Sequence, residues 1–390
     1  MTGKTESIWL GKRDGTHIRN PLQFIAIMRR GIRKRFRDIL FLSKRSEKVP
    51  IGISNKLRMW KNGFLSESYL IYDFEKNDLR NYVSDHTRLK LLTRINGYYS
   101  VALYDKLYFV LLLKDFKEHV AETYGLIKAG RVALPGKARS VGIEVIAELC
   151  KEKGSLVLKP LVGGQGRGVI MVGAANGRVI INGKQISSSE LLSIAEKLDD
   201  YLVVELVQQH GYASAVFPQT TNTVRIMTLW DEDRDMPFVA MAAQRFGNSI
   251  SFPVDNWTQG GICALVDVKT GMMGKATPKP STARPHLVEK HPETASQIEG
   301  VTIPHWDMLK TGILDMAKTV PFIPCIGWDI IVTTNGFKVI EGNNCPDLLL
   351  FQVHSPLLVN PRIKRFFERW IARIETIERQ GRKYKLPFKI

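Results

Sequence analysis

The residue pattern predicts an α+β fold with antiparallel sheets, preceded by a mostly helical N-terminal region and followed by a helical C-terminus. Three observations lead there. From Leu156 onward, short β-branched runs alternate with turn residues. One segment, Ser188 to Leu198, opens with Ser-Ser-Ser-Glu and interrupts these runs as a helix. At both ends of the chain, apolar residues recur every three or four positions, the period of a helix packed on one side.

Between Pro21 and Leu42, residues Ile25, Met28, Ile32, Phe36 and Ile39 keep helical spacing, and Arg29, Arg30, Arg33, Lys34, Arg35 and Arg37 fill the other faces. A basic amphipathic helix is expected. Residues 57–150 look mixed but mostly helical. Strands are then expected at Leu156–Leu158, Val169–Val172, Val179–Ile181, Tyr201–Glu205, Val224–Leu229, Phe238–Gln244 and Gly261–Val268. The polar, proline-containing stretch Thr277–Pro304 suits an exposed loop. In the last segment, Ile363, Phe366, Phe367, Trp370, Ile371, Ile374 and Ile377 form one stripe ahead of GRKYK.

With 390 residues and 44% hydrophobic content, the chain can bury cores for two or three subdomains. Its net charge of +18 is uneven. Residues 1–60 hold 15 Lys or Arg against 4 Asp or Glu, and residues 361–390 hold 10 against 3, so the 300 residues between are neutral overall. Both ends could lie on an anionic membrane surface; packing on the body with solvated charges is the alternative. The four cysteines lack paired spacing, so neither a disulfide framework nor a zinc site is expected, and a reducing cytoplasm fits. The polar start MTGKTES and the short apolar run Leu107–Leu113 argue against export and membrane spanning. Without an interleaved aromatic platform, nucleic acid is not expected as a partner.

The stretch GWDIIVTTNGFKVIEGNN, 327–344, places Asp329, Glu341 and Asn343 around one hairpin. If Thr334-Asn335-Gly336 forms a three-residue loop, Thr333 closes against Phe337, Asp329 faces Glu341, and Asn343 follows on the same face. A two-residue Asn335-Gly336 turn would instead put the carboxylates on opposite faces. Facing carboxylates repel by up to about 1 kcal/mol unless neutralised. Two carboxylates and an amide oxygen suit Mg2+ better than zinc or a calcium cage. An exposed hairpin with solvated acids is the plainer reading.

Upstream, LVLKPLVGGQGRG pairs a strand carrying Lys159 with a loop containing Gly163, Gly164, Gln165, Gly166 and Gly168. Such a loop can turn its N–H groups toward phosphate oxygens beside a point positive charge. The lysine precedes the glycines, unlike the order of a Walker loop, and GxxxxGK[ST], HRD and DFG are absent. The strand YLVVE ends at Glu205, where a connection could contact a flat ring. Arg225 and Arg245 interrupt apolar strands, and half-buried arginines need anionic partners, either bound phosphate or an internal ion pair. Asn256, Gly260 and Gly261 form a further glycine loop that could reach a phosphate or acyl group.

This order of motifs resembles the ATP-grasp superfamily, and within it the sugar-transfer-associated ATP-grasp family, in the group of D-alanine-D-alanine ligase-like carboxylate-amine ligases. The resemblance covers roughly residues 100–355, with the segment 61–85 similar to that family's lead-in. It implies an ATP-grasp fold of two α+β subdomains clasping ATP between antiparallel sheets. They fall at 155–210, with the glycine flap, and at 211–360, with the metal site. A basic helical region (1–100), a lead-in (101–154) and a C-terminal basic helix (361–390) complete the chain. Lys106 and Lys159 match the two nucleotide-contacting lysines, and Gly163 to Gly168 match the flap. Glu205 with Leu206, Val207 and Gln208 matches the adenine hinge, His210 is the candidate ribose contact, and Asp329, Glu341 and Asn343 match the magnesium ligands. Many relatives carry an arginine two residues before the metal aspartate, where this chain has Gly327. Arg225 or Arg245 would then stabilise the transferring phosphoryl group, and Asn256, Gly260 and Gly261 would face the other substrate.

The resemblance implies ATP and Mg2+ as cofactors and a carboxylate-amine ligation through an acyl phosphate, on small-molecule or glycan-linked substrates in surface polysaccharide biosynthesis. The expected place is the cytoplasm, with the basic ends suited to the inner face of the membrane. Two alternatives stay open: a kinase of the same fold, and a membrane- or nucleic-acid-binding protein with a degenerate ATP site. Oligomeric state is not readable from these residues.

Overall fold

The structure is a computed structural model that describes residues 33, 35–175, 178–344 and 346–380. Two antiparallel sheets organise it. The first holds β1 (Thr123–Lys128), β2 (Arg131–Ala133), β3 (Val141–Gly142), β4 (Ser155–Pro160), β5 (Ile170–Ala175), β6 (Arg178–Ile181), β7 (Lys184–Ile186) and β8 (Tyr201–Glu205), in the order β3-β2-β1-β8-β4-β5-β6-β7. The second holds β9 (Val224–Asp231), β10 (Met236–Phe246), β11 (Ile262–Val266), β12 (Met273–Pro278), β13 (Cys325–Thr333) and β14 (Gly336–Asn343), in the order β12-β11-β10-β9-β13-β14.

The expected strands from β4 onward are all present, with shifted ends. Three were missed in the stretch expected to be mostly helical: β1 carries Gly125 in its middle and a register shift, and β2 and β3 have 3 and 2 residues. Strands that short carry no usable alternation. They extend the first sheet back to Thr123. The strands β7 and β12 were also missed. The helix expected at Ser188–Leu198 spans Ser188–Ala195, with a capping box between Ser187 and Glu190.

The first sheet packs its inner face on helices Val145–Lys153 and Ser188–Ala195, around Leu156, Leu158, Val172 and Val203. The second sheet is covered on both faces. On one lies helix Trp306–Lys318, whose Leu309, Ile313 and Met316 meet Ile226, Trp328 and Ile330. On the other lie the N-terminal aromatic cluster Phe64, Tyr72, Phe74 and Tyr82 and the C-terminal helix Pro361–Arg379. The stretch expected as an exposed loop at Thr277–Pro304 is irregular but anchored: His291, Ile298 and Ile303 are buried in it.

The C-terminal stripe faces inward. Ile363, Phe366, Phe367 and Ile374 are buried, and Asn360 caps the helix by accepting from the N–H groups of Arg362 and Ile363. Four of its arginines are paired internally: Arg362 meets Asp231, Arg365 and Arg369 meet Asp233, and Arg373 meets Glu232. Packing on the body is therefore the outcome for the helix Pro361–Arg379. The GRKYK tail and most of the N-terminal helix lie outside the described residues. Among the described residues, no helix is long and apolar enough to cross a membrane.

Candidate active site

A cavity of about 320 Å³ opens between the two sheets. Its floor is the β13–β14 hairpin. Here Thr333 pairs with Gly336, so the turn is the two residues Thr334-Asn335, not the expected three-residue loop. That register alone would set Asp329 opposite Ile340. A β-bulge leaves Ile340 of β14 as one extra residue opposite the Asp329–Ile330 step, and beyond it Asp329 pairs with Glu341 and Gly327 with Asn343. The carboxylates share a face by a different route from the one the turn residues suggested.

Asp329 is buried and sits mid-sheet, opposite Arg225 of β9 on its other side. Arg225 Nε donates to Asp329 Oδ1, and its Nη2 donates to Oδ2 at 2.9 Å. Arg245 of β10 reaches across, Nη2 donating to Oδ2 at 3.1 Å. Burial alone would raise the pKa of Asp329, but the two guanidinium groups outweigh it and hold it well below the usual carboxylate range. Glu341 goes the other way: burial, then the charge of Asp329, pushes it up against the pull of Lys106 and Lys159. The two facing carboxyls thus shift in opposite senses, because like charges this close disfavour ionising both.

A hard cation could neutralise the pair. Asn343 Nδ2 donates to the Gly327 carbonyl at 3.2 Å, which leaves its amide oxygen for coordination. With Asp329 and Glu341 the donor set is all oxygen, and it fits Mg2+ shared with a bound phosphate.

Lys159 faces this pair from β4, its Nζ donating to the carbonyl of the bulge residue Ile340 at 3.1 Å. Burial pushes its pKa down to about 8, with Glu341 opposing and Lys106 adding to the shift. Lys106 is buried and donates to the Gly163 carbonyl at 2.9 Å. At the other side of the loop, Gln259 Nε2 donates to the Gln165 carbonyl. Gly166 has φ 70°, and a Cβ there would stand 2.8 Å from Val254. Only glycine allows so close an approach. The glycine flap is thus fastened to both halves of the cavity.

At the other end, Glu205 Oε2 accepts from Lys338 Nζ at 2.7 Å and from the Glu122 N–H at 3.0 Å. Leu206 and Val207 line the cavity beside Val157, Val204 and Ile331, which make an apolar slot suited to a flat ring.

The cavity brings together Lys106, Lys159, Gly163, Gly164, Gln165, Gly166, Glu205, Leu206, Val207, Arg225, Arg245, Asn256, Asp329, Glu341 and Asn343. Gly168, Gln208, His210, Gly260 and Gly261 are not in its lining. His210 caps helix Gly211–Val216, its Nδ1 accepting from the Tyr212 N–H, so the candidate ribose contact has a structural task instead. Gly261 lies against backbone: a Cβ would stand 2.8 Å from the Asp255 carbonyl oxygen. Asp255 was missed. Its Oδ2 accepts from the N–H and Oγ1 of Thr223, and its Oδ1 lies 3.4 Å from Arg245. The Asp-Asn pair after a proline looks like a turn in the sequence, which hid it.

Gly327 has a local reason. A Cβ at this position would come within 2.9 Å of Pro346 Cβ and 3.4 Å of Asn343 Cβ. The arginine of other superfamily members has no room here, and Arg225 and Arg245 flank Asp329 from the opposite strands.

The profile of the family described as sugar-transfer associated ATP-grasp matches residues 87–366, somewhat more than the span expected from the motifs, with the 61–85 segment outside it. No curated protein matches the chain. Solved structures similar to it include the D-alanine-D-alanine ligase from Coxiella burnetii, at 12% identity over 73% of this chain and 63% of that one, TM-score 0.37. The ATP-grasp ligase PsnB complexed with minimal precursor follows at 16% identity over 70% and 61%, TM-score 0.37. Biotin carboxylase from Campylobacter jejuni, in its β-γ-ATP complex, matches at 14% identity over 70% and 48%, TM-score 0.39. The chain spans between 48% and 63% of the length of those three proteins. A profile match over most of the chain, on a two-sheet α+β architecture, decides the assignment: the chain belongs to the sugar-transfer-associated ATP-grasp family.

Proposed function

We propose that the protein is an ADP-forming ligase that joins a carboxylate to an amine through an acyl phosphate, on a sugar- or glycan-linked substrate in surface polysaccharide biosynthesis. One observation carries the reading: Asp329 stands between two arginines and Glu341 in one sheet, with Lys159 and Lys106 facing them in the same cavity. Two carboxylates for a cation and four cations for phosphate oxygens suit phosphoryl transfer.

In this reading the adenine lies in the slot beside Leu206 and Val207, and the flap glycines direct backbone N–H groups at the phosphates. Lys159 and Lys106 neutralise phosphate charge. Bound Mg2+ supplies Lewis-acid neutralisation of the phosphate oxygens at Asp329, Glu341 and Asn343. Arg225 and Arg245 hold the transferring group as a substrate carboxylate attacks it, which forms an acyl phosphate and releases ADP. An amine then attacks the acyl carbon, and inorganic phosphate leaves as the amide forms. The fastened flap keeps water from the acyl phosphate. The sugar-linked substrate rests on the family association alone.

The test is a phosphate-release screen of uronic acids and amino acids in pairs, with mass spectrometry of the product. A pair that releases ADP and phosphate together and yields an amide supports the ligase. A phosphoester without free phosphate overturns it in favour of a phosphotransferase.

A further inference from the structure

The two basic ends of the chain behave differently. On the C-terminal helix Arg362, Arg365, Arg369 and Arg373 are paired with Asp231, Glu232 and Asp233, and Ile363, Phe366, Phe367 and Ile374 beneath them are buried. The N-terminal helix, residues 35–45, makes the opposite arrangement. Leu42 on its inner side is fully buried. On the outer side Arg33, Phe36, Arg37, Leu40 and Lys44 fall on one face at helical spacing, with Phe36 67% and Leu40 43% exposed. Among the described residues, none of Arg33, Arg35, Arg37 and Lys44 has an acidic partner.

The next helix, Ile53–Lys61, repeats the composition: Ile53 is 68% exposed and Leu57 42%, with Lys61 on the same face and no acidic residue in the helix. The two helices are tied together by Trp60 Nε1, which donates to Ser46 Oγ at 3.0 Å.

We infer that the outer face of these two helices is a docking surface for an anionic lipid bilayer. Basic side chains interleaved with exposed apolar ones are what an interfacial helix presents: the apolar groups enter the headgroup boundary and the cations meet lipid phosphates. Charge complementarity selects an anionic partner. The apolar members select lipid over nucleic acid, because Leu40, Ile53 and Leu57 cannot stack on bases and Phe36 alone makes no platform. Cations without an acidic partner among the described residues, on a chain whose C-terminal helix has Arg362, Arg365, Arg369 and Arg373 paired, favour the N-terminal helices as the place of attachment.

The experiment is co-sedimentation of the full chain with vesicles of phosphatidylcholine alone and of phosphatidylcholine mixed with phosphatidylglycerol. Binding is expected only to the mixed vesicles. It should fall on the order of tenfold or more in Arg33→Glu/Arg37→Glu and weaken in Phe36→Ser/Leu40→Ser at unchanged melting temperature. Lys364→Glu on the C-terminal helix should bind as the parent does. Equal binding to both vesicle types, absence of vesicle binding, full retention by the Arg33→Glu/Arg37→Glu variant, or displacement of the chain from vesicles by single-stranded RNA would each overturn the proposal.

Discussion

Asp329 and Glu341 face each other across the β13–β14 hairpin with opposed titration, the first held ionised by two arginines and the second pushed toward its neutral form by burial and by the charge of Asp329. This fixes a direction for pH. A carboxyl with a raised folded pKa lends stability that is present below its unfolded value, and this is lost as pH rises through the folded one. The metal-free protein should therefore weaken as pH climbs above the ordinary glutamate range. Added Mg2+ should recover the loss, more at higher pH. Glu341→Gln should remove this dependence and raise the metal-free melting temperature while abolishing magnesium-dependent ATP turnover. Denaturation curves across pH, with and without Mg2+, check all three. In contrast, Asp329→Ala strands two buried guanidinium groups and should cost about 3–5 kcal/mol.

Lys159 titrates at about 8, so its charge is partial at neutral to mildly alkaline pH. Nucleotide affinity should fall as pH rises through that value. Binding above it should take up a proton, visible as a calorimetric heat that depends on the ionisation enthalpy of the buffer. Lys159→Arg should flatten the profile, since a guanidinium stays charged throughout.

Asp255 touches Thr223 and Arg245 at the cavity wall, so we expect it to act by positioning Arg245. Asp255→Asn should lower kcat about tenfold with the KM for ATP little changed, because only the aim of Arg245 is relaxed. Arg245→Lys, which removes the fork itself, should cost on the order of 10²–10³ in kcat. Steady-state kinetics on the product-forming pair separates the two.

Gly327→Ala inserts a methyl group within 2.9 Å of Pro346. It should destabilise by about 1–3 kcal/mol, read from urea denaturation, and Gly327→Arg should fare worse rather than restore a family feature.

Much of the site was legible because phosphate chemistry needs particular side chains at particular strand positions: Lys159, Arg225, Asp329, Glu341 and Asn343 are such residues, and all line the cavity. What stayed hidden depends on contacts distant in sequence. Asp255 shows its purpose only when β10 brings Arg245 beside it, and Gln259 only when the flap arrives. His210 misled in the opposite sense, since a histidine after a hinge strand has the same appearance whether it meets a ligand or caps the next helix. Strands β1 to β3 were too short or too glycine-broken to show a period of two.

The extra residue at Ile340 has a mechanical effect on the hairpin. It separates two alignments: the turn sets the pairing from Thr333 down to Ile330, while the base of the hairpin, locked to β9, sets the pairing at Asp329. The bulge works as a slip joint between them. It also leaves a carbonyl outside the ladder, and that carbonyl receives Lys159. A change of length at the tip of the hairpin can be absorbed before it reaches the carboxylates, so the tip is free to drift in sequence while Asp329 and Glu341 keep their alignment.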